Sequence, residues 1–198
     1  MKVVTLLHPF PHTIIYDYLS SIEVENIIKE KNYLLQTFNA LDLLSPGDEH
    51  HRDLIINCKT DTYNLDDIYN GKRQDSATLN IMQKIFQLYG AGCLNTYTDR
   101  NLKFMAFSNI IRTYMNVYNE GSFYKMHQDN SVLTLLTALN ESQNYELQNC
   151  LTFPEFNYTP NLPHNTCIVF SSYELHEVMR LRSSTPTRIS INQRLYIS

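Results

Sequence analysis

The chain has 198 residues, of which 43% are hydrophobic and 18% charged, with a formal net charge of −4. That is enough apolar side chain for one packed domain, and an acidic chain without a run of Lys or Arg is a poor nucleic-acid sleeve. Four cysteines without CxxC spacing (Cys58, Cys93, Cys150, Cys167) argue against a zinc ribbon or a disulfide framework, and no stretch approaches the length of a membrane span.

The apolar start, Val3 to Leu7, is cut short by His8-Pro9-Phe10-Pro11 and is too brief for a signal-peptide core, so the expectation is a cytoplasmic protein with no membrane partner. Thr13 to Tyr18 is β-branched and aromatic and reads as a strand. Ser20-Ser21 then caps a predicted helix to about Lys31, with Ile22, Val24, Ile27 and Ile28 mostly on one face. Residues 39–73 read as loop, with Pro46-Gly47 as a turn and several Asp-Asn clusters. A second amphipathic helix is predicted over Ala77–Tyr89, with Gly90 as its stop.

Beyond residue 101 the pattern becomes strand-like. Phe104–Tyr118, Val132–Leu139, Leu147–Phe153, Thr166–Ser171, Leu175–Leu181 and Thr187–Ile197 are separated by polar or turn-forming linkers. Short strands at this spacing predict a mainly β fold with flanking helices, built on a jelly-roll core. The expected organisation is a single domain over 1–198, with 1–100 as a helical and loop support region and 101–198 as the core. Val3–Leu7 and Thr13–Tyr18 are candidates to join its sheet.

Two residues of this second half, His127 and Asp129, sit two apart in an extended segment, so both side chains reach one side. His176 follows in another strand-like segment. Two imidazoles and one carboxylate on one face of a metal leave the opposite face open, an arrangement suited to non-haem Fe(II) activating oxygen. Arg188, with Ser190 on the same face of its strand, supplies a guanidinium fork and a hydroxyl for the carboxylate of an anionic co-substrate. The HxD pattern alone is weak, being expected ~0.35 times by chance in a chain of this composition. A second copy, His51-Arg52-Asp53, lies in a charged stretch and reads as solvated loop. His8, His12, His50, His51 and His164 read as structural or solvent-facing.

Context separates the two copies. The segment from Tyr118 through Gly121, Phe123 and Tyr124 to His127-Gln128-Asp129 resembles the tyrosine–glycine–aromatic–HxD segment of 2-oxoglutarate- and Fe(II)-dependent oxygenases, in their prolyl 4-hydroxylase-like branch. Leu133–Asn140 resembles the strand that follows it, and Pro163–Val178 resembles the turn, strand, serine-rich loop and distal His-x-Val of that family. The start from Pro9 to Ile15 is similar too, and residues 35–75 show no likeness. The resemblance implies a double-stranded β-helix in which His127, Asp129 and His176 ligate the metal. Arg188 would bind the distal carboxylate of 2-oxoglutarate with Ser190 as helper, Tyr118 would line that pocket, and Thr137 would fall where some relatives place a pocket tyrosine. It implies Fe(II) as cofactor, 2-oxoglutarate and O2 as co-substrates, and hydroxylation of a prolyl residue in a peptide or protein. Asp129 argues against halogenation, since related halogenases carry a small residue there. Leu147-Gln148-Asn149-Cys150 departs from the family's Gly-Gly-Glu-like turn, which bears on the substrate side. Two alternatives stay open. Arg188 and Arg194 resemble the two-arginine strand of nucleic-acid dealkylating oxygenases, although the acidic balance makes a nucleic-acid partner the weaker choice. The other is a non-catalytic jelly-roll binding module. Residues 39–73 are the expected substrate cover, and a small metabolite is a further substrate class.

Overall fold

The computed structural model describes residues 1–43, 49–140, 150–181 and 187–198, and the side chains of 49–51, 53 and 54 fall outside the description. Among the described residues ten strands form two sheets: β1 (Lys2–Leu6), β2 (His12–Tyr16), β3 (Thr60–Asn64), β4 (Ile110–Tyr118), β5 (Tyr124–His127), β6 (Leu133–Asn140), β7 (Leu151–Thr152), β8 (Thr166–Ser171), β9 (His176–Val178) and β10 (Arg188–Tyr196). A seven-stranded sheet runs in the order β1-β2-β8-β6-β10-β4-β3, and a three-stranded sheet in the order β5-β9-β7. Every pairing is antiparallel. This is the expected jelly-roll architecture, with helices against the larger sheet.

The helices are α1 (Ser21–Thr37), α2 (Glu49–Cys58), α3 (Leu65–Ile68), α4 (Ala77–Ile81) and α5 (Lys84–Gly90). Ser20 begins α1 with a reciprocal box: its hydroxyl accepts from the Glu23 N–H while the Glu23 carboxylate accepts from the Ser20 N–H. Val24, Ile27 and Leu34 face the core, whereas Ile22 is exposed. The helix outruns its predicted end by six residues because Leu34 continues the apolar face beyond Lys31. The predicted Ala77–Tyr89 helix is two pieces broken at Met82-Gln83, and both Met82 and Ile85 remain buried.

Three expectations need correction. Residues 39–73 are not mainly loop: they hold α2, β3 and α3, while 44–48 lie outside the described residues. The His51-Arg52-Asp53 stretch therefore belongs to a helix, whose Ile55 and Cys58 pack into apolar clusters three residues apart. Phe104–Ala106 belong to a 3-10 helix (Arg100–Ala106), with Asp99 accepting from the Asn101 N–H at its start. The first half also gives the sheet more than expected: β1 and β2 join it, as anticipated for Val3–Leu7 and Thr13–Tyr18, and β3 adds the opposite edge. Leu147–Gln148–Asn149 lie outside the described residues.

Alternation divides the large sheet into two faces. One carries Ile15, Tyr63, Met115, Val117, Leu135, Leu139, Cys167, Val169, Ile189, Ile191 and Leu195 into the core shared with α1, α4 and α5. The other carries Ile14, Leu136, Ala138, Ile168 and Phe170 toward Leu151 and Phe153 of the small-sheet side. The polar residues of interest lie on this second face. Among the described residues no helix is long and apolar enough to cross a membrane.

Candidate metal centre

β4 ends at Tyr118, and Gly121, at φ +77°, turns the chain into β5. The turn is closed by the Ser122 N–H donating to Asn119 O at 3.0 Å and by the Ser122 hydroxyl accepting from the Asn119 N–H. β5 delivers His127 opposite His176 of β9, and the two are direct cross-strand partners. Asp129 follows, its N–H bonded to Ser172 O at 3.0 Å. One donor atom from each of His127, Asp129 and His176 lies within 4.8 Å of the other two. His127 Nε2 is 3.6 Å from Asp129 Oδ1, and His176 Nε2 is 3.8 Å from Oδ2.

Both imidazoles are fixed the same way. His127 Nδ1 lies 2.8 Å from Lys125 O and His176 Nδ1 2.8 Å from Glu174 O. A carbonyl only accepts, so each Nδ1 carries the proton and each Nε2 presents a lone pair to the shared point. Tyr124 stacks on His127 with ring centroids 4.3 Å apart, and Phe170 meets His176 edge-on at 5.1 Å. Burial, with His127 next, pushes the His176 imidazole down to about 4, so the ring is neutral at pH 7. Burial alone would raise the Asp129 carboxyl, but His127, Arg194 and His176 outweigh it and hold the group well below the usual carboxylate range. Two imidazole nitrogens and one ionised carboxylate are a donor set that suits a divalent oxygen-activating metal.

The large sheet sets the second half of the site. Arg188 pairs with Tyr118 on β4 and Asn140 on β6; two residues on, Ser190 pairs with Asn116 and Ala138. Arg188 is 2% exposed, its guanidinium 5.3 Å from the Tyr118 ring centre, and its Nε and Nη1 have no hydrogen-bond partner among the described residues. Asn116 Nδ2 reaches Ser190 Oγ at 3.5 Å, whereas Asn116 Oδ1, Asn192 Oδ1 and Thr62 Oγ1 are buried with no hydrogen-bond partner among the described residues. Unsatisfied buried polar atoms are rare in folded proteins, and a run of them on one face fits a pocket for a polar, anionic ligand. Arg188, Tyr118 and Ser190 thus meet as expected. Thr137 does not: its register partners Ile191 and Cys167 are on the helix-facing side, and its hydroxyl points to Met82 Sδ at 3.9 Å. Of the other histidines, His12 is buried between Phe10 O and the Tyr158 hydroxyl, and His164 Nδ1 accepts from the Asn140 N–H.

No family model and no curated protein sequence matches the chain. Solved structures do. A viral collagen prolyl hydroxylase from Paramecium bursaria Chlorella virus-1, in its 2OG complex, is 12% identical with a TM-score of 0.56, over 94% of this chain and 96% of that one. A Trichoplax adhaerens prolyl hydroxylase, in complex with a hypoxia inducible factor peptide fragment, is 17% identical with a TM-score of 0.62, over 93% and 83%. A Pseudomonas putida prolyl-4-hydroxylase is 14% identical with a TM-score of 0.56, over 94% and 92%. The chain has the prolyl 4-hydroxylase fold.

Within that prolyl 4-hydroxylase fold, sequence reasoning missed three contributors to the centre. Thr134 Oγ1 donates to Asp129 Oδ2 at 2.6 Å, Arg194 Nη2 lies 2.7 Å from Asp129 Oδ1, and Tyr124 covers His127. Arg194 had a legible signal. It stands six residues after Arg188, an even spacing that puts both on one face of a strand. Thr134 and Tyr124 carried none, because register and ring stacking are tertiary.

Proposed function

We propose that this protein is a 2-oxoglutarate- and Fe(II)-dependent dioxygenase that hydroxylates a prolyl residue in a peptide or protein. The observation that carries the reading is Arg188: a buried guanidinium with unpaired N–H groups, on the sheet face that looks toward His127, Asp129 and His176. His127, Asp129 and His176 hold the metal by three positions and leave the rest for ligands. Arg188 takes the distal carboxylate of the co-substrate through its fork, with Ser190 beside it and Tyr118 as the wall. When bound, iron supplies oxygen activation coupled to oxidative decarboxylation of 2-oxoglutarate, giving succinate, carbon dioxide and a hydroxylated substrate. Tyr124 stacks on His127, and Phe153 and Phe170 line His176 and keep water from it.

The peptide class draws support from the Trichoplax neighbour, whose structure is a complex with a peptide fragment, and from the net charge of −4, which disfavours a polyanion. α2 and β3, beside Tyr118, Phe123 and Tyr124, are the proposed substrate-side cover. The even spacing of Arg188 and Arg194 favours a second reading, a nucleic-acid dealkylating oxygenase of the same fold; a salt-dependent affinity for single-stranded nucleic acid would establish it.

The test is an anaerobic titration of Fe(II) and 2-oxoglutarate followed by absorbance. Wild type is expected to develop a metal-to-ligand charge-transfer band, His176→Ala to lose it, and Arg188→Ala to require far more 2-oxoglutarate. An unchanged band in His176→Ala would sink the metal assignment. Release of succinate with a proline-containing peptide panel then tests the substrate class.

A further inference from the structure

Asp129 is gripped from two sides by one rung of the large sheet. Thr134 of β6 and Arg194 of β10 are direct register partners. Thr134 donates its hydroxyl to Oδ2 at 2.6 Å, and Arg194 sets Nη2 at 2.7 Å from Oδ1. The threonine hydroxyl lies 2.8 Å from Ser172 Oγ, which is 2.6 Å from Ser131 Oγ, so the oxygen on that side belongs to a closed hydroxyl network. Arg194 is 7% exposed, lies over the Tyr114 ring at 4.8 Å, and its Nε has no hydrogen-bond partner among the described residues.

The two contacts do different work. A charge-assisted O–H to carboxylate bond is directional, so Thr134 sets the rotation of the carboxylate. The Arg194 contact lies off the direction of its N–H bonds, since Oδ1 has no hydrogen bond despite the short distance. Its effect is charge, in a buried place where charge acts strongly. We propose that Arg194 is a positioning residue that neutralises Asp129. A divalent metal on His127, Asp129 and His176 then keeps its full attraction for an anionic, chelating co-substrate. The inference rests on the dioxygenase reading above and extends it to a residue outside the metal triad and the Arg188 pocket.

Charge bookkeeping gives the inference a sign that structural damage would not share. With neutral imidazoles, metal, Asp129 and Arg194 together carry two positive charges; without Arg194 they carry one. Removing Arg194 therefore weakens the anion. It does not weaken the metal, which Arg194 repels and which Thr134 still serves with an oriented carboxylate.

The experiment measures Mn(II) binding to the full chain by the loss of the free-ion EPR signal, then 2-oxoglutarate binding to the Mn(II)-loaded protein by calorimetry. For Arg194→Met the expected result is a 2-oxoglutarate dissociation constant raised at least about ten-fold, roughly 1.4 kcal/mol, with Mn(II) affinity unchanged or tighter. Arg194→Lys, which keeps the charge, should recover most of the loss. Arg194→Gln carries the same expectation as the methionine variant should that one fail to fold. A 2-oxoglutarate affinity within about two-fold of wild type would overturn the inference, as would parallel weakening of metal and 2-oxoglutarate that lysine does not rescue. Wild type that binds Mn(II) but no 2-oxoglutarate would instead take down the dioxygenase reading, and this inference with it.

Discussion

Arg188→Met removes a guanidinium that is 2% exposed and whose Nε and Nη1 have no hydrogen-bond partner among the described residues. Each buried, unpaired donor costs about 1–3 kcal/mol in the ligand-free protein. Against this stands the stacking of the cation over Tyr118 at 5.3 Å, a contact of the kind worth about 0.5–2 kcal/mol. A methionine fills most of the same slot, packs on the same ring, and asks for no partner. At mid-range values the balance favours the variant by about 3 kcal/mol, and near 200 residues each kcal/mol moves the melting temperature by about 2–4 °C. The ligand-free variant should therefore melt several degrees higher than wild type in a calorimetric scan. Binding should move the other way. Losing two charge-assisted N–H contacts to a carboxylate, at about 1.5–3 kcal/mol each, weakens 2-oxoglutarate by roughly a hundred-fold or more. A variant that melts lower while binding 2-oxoglutarate within a few-fold of wild type would make Arg188 a structural residue and refute the reasoning.

Two further outcomes are expected. The His176 imidazole is pushed down from 6.5 to about 4, so between those values the folded, metal-free protein binds fewer protons than the unfolded chain. Its stability is full above pH 6.5 and falls as the pH drops toward 4, by about 3 kcal/mol for a shift of this size. Urea unfolding at pH 7 and pH 4.5 measures it. His176→Gln should flatten the slope, leaving the part due to His12 and His164, which burial also lowers; an unaltered slope would contradict the assignment. Thr137→Val should leave 2-oxoglutarate affinity within about two-fold of wild type, because the hydroxyl faces Met82 on the helix side. Weakened binding there would reopen a pocket role for it.

The candidate triad was legible because its His127–Asp129 half is local and its His176 half lies in a segment of clear strand character. Alternation alone aims His127 and Asp129 together, and His176 and Arg188 stand in segments whose strand character is strong. What escaped the sequence depends on pairing. Thr137 was assigned to the pocket, yet which of Leu136, Thr137 and Ala138 faces the metal follows only from β6 sitting opposite β10 with Thr137 against Ile191. β3 escaped because Thr-Asp-Thr-Tyr-Asn is polar; it is held by pairing to β4 and by the Thr60 hydroxyl donating to Phe123 O at 3.0 Å. α2 was masked by its charged first turn, while its apolar residues, Ile55 and Cys58, come late. The even spacing of Arg188 and Arg194 marks one shared face, but the meeting of Thr134 and Arg194 on Asp129 joins three chain segments and follows only from β6 pairing with β10.

β10 is paired along both sides, with β4 from Arg188 to Tyr196 and with β6 from Arg188 to Leu195. In all six pairings of the large sheet the partner numbers sum to an even value. Every side chain on the metal-facing side of β1, β2, β3, β4, β6, β8 and β10 thus carries an even residue number, and every helix-facing one an odd number. The chemistry of this chain is held as parity. Losing Ser190 from β10 would move Ile191, Gln193 and Leu195 onto the row that Arg188 occupies and send Asn192 and Arg194 to the helix-facing side, turning that part of the pocket into core and the core into pocket. Divergence in such a chain has room at the turns, where a change in length leaves the rows intact, and almost none within the strands.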